Sequence, residues 1–229
     1  MDRLLSLYGT GGISMYDKEK IVDCFSNSKR WRNEPDEIVA MHMSYKSHAL
    51  MMGRVVEEFL SVCDARFGAV SVLDVGCGTG MFLTYLKERN SLHRLERYLG
   101  YDLVPKFANK AVAKMKENGV RGGIFVEDFF ALDDYPRAEF VIASQCLNTI
   151  FSESPYRFLE MAIEKLWQST ISTLVFDLKD EKAPKIYEGR TYYDPVAVYS
   201  ICRKLTQNVS VVQIMSGNFG VTMSREKLF

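Results

Sequence analysis

Residues Asp74-Val75-Gly76-Cys77-Gly78-Thr79-Gly80 close an apolar run and place glycine at every second position. That spacing permits a tight strand-to-helix turn and lets a ligand approach bare backbone. Three later segments also end in polar groups. Asp102 offers a pair of acceptors suited to a ribose diol. Asp128-Phe129 sets a carboxylate beside an aromatic face, suited to an exocyclic amine and a purine ring. Ser144-Gln145 falls next to where a reacting group would lie. One such end means little, but four in chain order make a specific signal.

The elements that must position these residues begin near residue 69. AVSVLDV from Ala69 is apolar and flanked by glycines, so it reads as a buried strand. GMFLTYLKERN follows as a helix, and ERYLGYD ends a second strand at Asp102. PKFANKAVAKMKEN puts Phe107, Ala108, Ala111, Val112 and Met115 on one helical face, with Pro105 suited to the first turn. GGIFVED and AEFVIASQ read as strands three and four, YRFLEMAIEKLW as a helix, and STLVFDL as a fifth strand. Asp194-Pro195 is a good N-cap and N1 pair for the helix VAVYSICRKLT. VSVVQIM and FGVTMSRE are separated only by Ser216, Gly217 and Asn218, a link too short for anything but an antiparallel hairpin. The expected fold is α/β: a Rossmann-like, doubly wound, mostly parallel sheet ending in one reversed strand. Residues 1–65 are expected outside it as a helical N-terminal cap or lid, with residues 66–229 forming the ligand-binding domain. In an open sheet of this kind, ligands bind beyond the carboxyl ends of the strands.

VLDVGCGTG resembles the glycine-rich first motif of the class I S-adenosylmethionine-dependent methyltransferases, and the later acids and the terminal hairpin fall where that family places them. The resemblance covers about 70 % of the chain, from residue 69 onward. It implies that Gly76, Gly78 and Gly80, with Cys77 between them, line the methionine part of S-adenosylmethionine and that Asp74 helps orient it. Asp102, with Leu103 beside it, would take the ribose hydroxyls. Asp128 would take the adenine amine, Phe129 the adenine ring or its N1, and Ser144 and Gln145 complete the cofactor set. VIASQCLNTIF together with YYDPVAVYSICRKLT is also similar to a bacterial branch with small-molecule-sized members. The rival for a glycine loop is a dinucleotide, whose G-x-G-x-x-G fingerprint would need glycine at position 81. That residue is Met81.

Composition narrows the classes. The 229 residues carry 29 basic and 29 acidic side chains, 47 % apolar and 12 % aromatic residues, which fits one large or two small folded domains. A polyanion binder would carry a basic excess. Even Lys29-Arg30-Trp31-Arg32 sits in a stretch, residues 1–66, with 9 basic against 10 acidic side chains. Nucleic acid is therefore not the expected partner. The five cysteines include no C-x-x-C pair, and the three histidines lack ligand spacing, so no metal is expected. No apolar run approaches the roughly 18 residues of a membrane span. MDRLLSLYGTGG lacks the regions of a signal peptide, so a cytoplasmic setting is expected.

Methyl transfer from a sulfonium is an in-line displacement that needs a general base only for a protonated acceptor. No residue declares itself as that base. His42, Tyr45 and His48 share a presumptive helix, and Asn148 follows the fourth strand. These are the catalytic candidates, although core or surface placement is the ordinary fate of such histidines. Asn148 lacks the flanking prolines of the nucleic-acid amino methyltransferases, which argues against base methylation. Tyr16, Trp31, Asn148, Tyr187, Arg190, Tyr192 and Tyr193 are expected to line the acceptor pocket. Cys77 reads as a small buried residue rather than a nucleophile. Lys106, Lys110 and Lys114 read as a solvated helical face. The expected reaction is methylation of an oxygen or nitrogen of a small molecule. The alternatives are a protein or RNA methyltransferase, or a non-catalytic methyltransferase-like subunit.

Overall fold

A computed structural model describes residues 15–26, 35–41, 45–148 and 152–226. Its sheet has seven strands: β1 (Val70–Val75), β2 (Leu95–Asp102), β3 (Gly122–Val126), β4 (Ala138–Ala143), β5 (Thr170–Lys179), β6 (Asn208–Met215) and β7 (Asn218–Ser224). Their spatial order is β3-β2-β1-β4-β5-β7-β6. β1 through β5 pair in parallel, and β7 runs antiparallel to both β5 and β6. Each apolar run of the sequence therefore becomes a strand, and the three-residue link makes its hairpin.

One placement differs from the expectation. The reversed strand β7 is not the edge but lies between β5 and β6. All seven of its residues are buried, whereas β6 is only half-covered. The strand with more apolar surface to hide takes the inner slot, and β6 is left at the rim.

Adjacent β1 residues point to opposite faces, Val72 into one core cluster and Leu73 into the other. α4 (Met81–Glu88) and α5 (Pro105–Glu117) cover the first face, with Phe82, Leu83, Leu86 and Ala111 buried there. α6 (Pro155–Ser169) and α7 (Pro195–Arg203) cover the second with Phe158, Leu159, Ile163, Val198 and Cys202. Asp194 caps α7 by accepting from Val196 N and Ala197 N, as the Asp-Pro pair implied.

The N-terminal stretch contributes α1 (Lys18–Ser26), α2 (Asp36–Met41) and α3 (Tyr45–Ala65). α3 does not sit outside the sheet. Its Val55, Val56, Phe59 and Val62 are buried in the same cluster as Val72 and Phe140, and Phe59 meets the Phe82 and Phe140 rings edge-on. α1 and α2 lie elsewhere, over the carboxyl ends of the strands.

Candidate active site

The turn after β1 is pinned by two bonds to one carbonyl: Gly76 N and Cys77 N donate to Tyr101 O at 2.8 and 3.0 Å. Gly76 has φ +74° in the left-handed region, and an added Cβ would collide with Cys146 Cβ. No side chain fits where the turn after β4 crosses the turn after β1. Gly78 has φ +54°, and its bare Cα faces Ala40 of α2, which comes within 3.4 Å of where a Cβ would stand.

Asp102 ends β2 beside this loop. Gly78 N donates to its Oδ2 and Val104 N to its Oδ1, both at 2.8 Å. Burial pushes the carboxyl up to about 6, against the pull of these two amides. Each oxygen has a second lone pair, so the oriented carboxylate can take two hydroxyls at once. Asp128, at the end of β3, accepts from Tyr16 Oη and, at 3.2 Å, from Phe130 N, both on Oδ1. Burial and the Asp128 carboxylate raise the Tyr16 phenol far above its usual range, so it stays a donor. Phe129 is buried among the Tyr101, Phe130 and Tyr135 rings.

These groups border one cavity of about 750 Å³, open mouth included. Of the residues expected to bind, Gly76, Gly78, Asp102, Leu103, Asp128, Phe129, Ser144, Gln145 and Tyr16 line it. Asp74, Cys77 and Gly80 lie behind its wall. Asp74 is 5 % exposed and accepts from Tyr98 Oη at 2.6 Å, and burial pushes its carboxyl up to about 7. Cys77 packs in the core against the bare Gly100, and Gly80 brings α4 close to Ala111 of α5.

Other candidates are placed away from the cavity. His48 is buried, with its Nδ1 3.4 Å from Tyr85 Oη, and desolvation lowers its imidazole to about 4. It is a neutral core residue rather than a base. Asn148 is fully buried as a latch: its Oδ1 accepts from Lys179 N at 2.8 Å and its Nδ2 donates to Asp177 O at 3.4 Å. Both amide ends bond β5, and the fully buried side chain does not reach the cavity. Tyr193 is fully buried under Tyr156 and donates to Leu147 O. Tyr187, Arg190 and Tyr192 share its connection between β5 and α7, off the cavity lining; Tyr192 Oη accepts from Tyr187 N at 2.8 Å. Trp31 and His42 lie outside the described residues, as does the side chain of Tyr45.

The sequence reading expected a lid from residues 1–65 but named only Tyr16 among the described residues that form it. Ile21 and Phe25 of α1 and Ala40 of α2 close the cavity against Val104 and Phe107. The signal was present in the i, i+4 spacing of Ile21 and Phe25. The lysine stripe of α5 is also not free. Lys106 and Lys110 pair with Asp36, and Lys110 also with Glu37, holding α2 in place. Lys114 instead reaches Met81 Sδ. Among the described residues, no group of His, Cys, Asp and Glu side chains could hold a metal ion, and no helix is long and apolar enough to cross a membrane.

Residues 72–167 match the family model of a methyltransferase domain. No curated protein matches the chain. Solved structures share the fold at low identity. Magnesium protoporphyrin IX methyltransferase (ChlM) from Synechocystis PCC 6803 with bound SAM is 16 % identical, with a TM-score of 0.66 over 94 % of this chain and 100 % of that one. The N-methyltransferase NodS from Bradyrhizobium japonicum WM9 with S-adenosyl-l-homocysteine is 16 % identical, with a TM-score of 0.57 over 92 % and 98 %. A glycine turn, an amide-oriented acid after β2 and the order β3-β2-β1-β4-β5-β7-β6 accompany that family match. Residues 72–167 thus carry the match to a methyltransferase domain, within a chain that shares its fold with methyltransferases solved with bound S-adenosylmethionine or S-adenosylhomocysteine.

Proposed function

We propose that the cavity beyond β1 to β4 holds S-adenosylmethionine and that the protein methylates an oxygen or nitrogen of a small molecule. The observation that carries the cofactor assignment is Asp102, whose two oxygens are each fixed by one backbone amide at the cavity wall. The group fits the residues present. Asp102 takes the ribose diol, Asp128 and Phe129 the adenine, and the bare Gly76 and Gly78 the methionyl arm. When bound, the cofactor supplies a methyl group activated by a sulfonium charge. The chain supplies orientation and dryness, and holding donor and acceptor in line is worth roughly 7–11 kcal/mol.

α1 and α2 support a small acceptor. They roof the cavity with three apolar side chains, Ile21, Phe25 and Ala40. In this reading α1 and α2 are the cap, and α3 is part of the sheet domain. The roof then serves to keep water from the transferring methyl group, as the displacement requires. Among the structures sharing this fold is a methyltransferase of magnesium protoporphyrin IX, a small molecule.

Thermal denaturation tests the cofactor assignment. S-adenosylhomocysteine is expected to raise Tm at concentrations where NADH leaves it unchanged, and the reverse ranking overturns it. Transfer to RNA with an affinity that falls steeply with salt would overturn the small-molecule reading.

A further inference from the structure

Behind the β4 turn lies another carboxylate, Asp177 of β5, only 2 % exposed. Ser144 Oγ, on the cavity wall, donates to its Oδ2 at 2.6 Å. Gln145 donates twice to Oδ1, from its backbone N at 3.0 Å and from its side-chain amide. These bonds hold Gln145 at φ +61°, a left-handed conformation that costs a non-glycine residue energy.

The surroundings of Asp177 pull on its charge in both directions. Asp177 faces Gly220 in the β5–β7 register, and any Cβ at Gly220 would collide with the Arg54 guanidinium. Bare backbone thus admits a cation from α3 to the neighbourhood of the acid. Arg54 also bonds Glu58 and Thr222, so it does not form a dedicated pair with Asp177. Burial raises the Asp177 carboxyl, against the pull of Ser144, Gln145 and the Arg54 charge. Lys179 on the same strand and Cys146 in the β4 turn are the other titratable groups whose charges interact with it.

We propose that Ser144 and Asp177 form the proton exit of methyl transfer, with the acceptor's proton passing to Ser144 Oγ while the serine's own proton passes to Asp177 Oδ2. The atoms balance without any co-reactant. The acceptor's lone pair closes the bond to the methyl carbon, the carbon–sulfur pair returns to sulfur, and one proton is left on Asp177. Ser144 is the group that touches the acceptor, and Asp177 acts through it. The placement rests on the cofactor reading above. With adenine at β3, ribose at β2 and the methionyl arm at β1, the methyl group faces the next strand, β4. Three strand spacings of about 4.8 Å separate β3 from β4, room for a nucleoside and its sulfonium arm.

The proposal has a consequence that needs no acceptor. A sulfonium beside Ser144 favours the ionised Asp177, and the neutral thioether of the product does not. The S-adenosylhomocysteine complex should therefore hold more protons than the S-adenosylmethionine complex. Calorimetric titration of the full chain with each ligand, in buffers of different ionisation enthalpy across neutral pH, reads that difference. The expected result is a fraction of a proton per site in the natural protein and none in Asp177→Asn. An equal proton count for the two ligands in the natural protein overturns the proposal, as does a difference that survives Asp177→Asn. Infrared difference spectra of the natural protein in its two complexes keep the test open if the variant does not fold. A protonated aspartyl carboxyl band gained with S-adenosylhomocysteine supports the proposal, and its absence contradicts it. Failure of either ligand to bind the natural protein would refute the cofactor reading instead.

Discussion

α2 and α3 are neighbours in a stretch of similar composition, yet they serve different parts of the molecule. α3 buries Val55, Val56, Phe59 and Val62 against the sheet and is continuous with its core. α2 has six residues, buries Val39, and is held over the glycine loop by Ala40 and by Asp36 and Glu37 against the α5 lysines. The contrast is one of attachment. A helix fixed by many buried apolar contacts opens only with the whole fold, whereas one fixed by a few contacts and exposed ion pairs can open alone. A roof that must admit a nucleoside belongs to the second kind.

The largest effect should come from cutting between the two roles. A chain starting at Cys63 loses six buried apolar α3 side chains, Met51, Met52, Val55, Val56, Phe59 and Val62, worth together roughly 9–18 kcal/mol. That matches the whole stability of an ordinary domain. It should show no cooperative unfolding transition in urea, whereas a chain starting at Tyr45 should unfold cooperatively but bind S-adenosylhomocysteine at least about tenfold more weakly. A cooperative Cys63 chain with the full-length midpoint would place α3 outside the core.

His48 sharpens the comparison from within α3. Its folded imidazole is lowered to about 4 from an ordinary 6.5. The unfolded chain therefore binds a proton that the folded one refuses. Stability is intact above about pH 6.5 and falls as pH drops toward 4, by about 3 kcal/mol in all. Urea unfolding against pH should show this loss in the natural protein and a flatter curve in His48→Leu. Equal slopes would mean that His48 is solvated.

The smallest effect belongs to α2. Lys110→Ala removes ion pairs whose partners are all at least 30 % exposed, so global stability should change by less than about 1 kcal/mol. The opening of the roof should respond instead: amide exchange across α2 should quicken in the variant, while exchange across α3 stays the same. Acceleration of both helices together would make them one unit.

The sheet and the strand ends that border the cavity were legible because their signals are local in sequence. β1 and its glycines, β2 and Asp102, and β3 and Asp128 are each an apolar run and the residues that follow it. The roof and the far wall depend on contacts between distant segments. Tyr16 meets Asp128 across 112 positions, and Asn148 serves β5 rather than a substrate because of bonds across 29 and 31 positions. α2 and α3 share an amphipathic pattern, which says that a helix has a buried face and not what covers it. Asp177 did leave a signal, a lone carboxylate inside the apolar run LVFDL. A charge taken into a strand core costs several kcal/mol unless partners wait for it, and that cost marks the position as one with a purpose.

Calorimetric binding of S-adenosylhomocysteine to the natural protein and to Asp102→Ala tests the central assignment most directly. Each ribose hydroxyl that loses a charged acceptor should cost about 1.5–3 kcal/mol, so affinity is expected to fall by roughly 10- to 150-fold or more. Because burial holds the Asp102 carboxyl near 6, affinity for the natural protein should also decline as pH drops below that value, and the variant should lack this dependence. Unchanged affinity in a folded Asp102→Ala protein would remove Asp102 from the site and contradict the account.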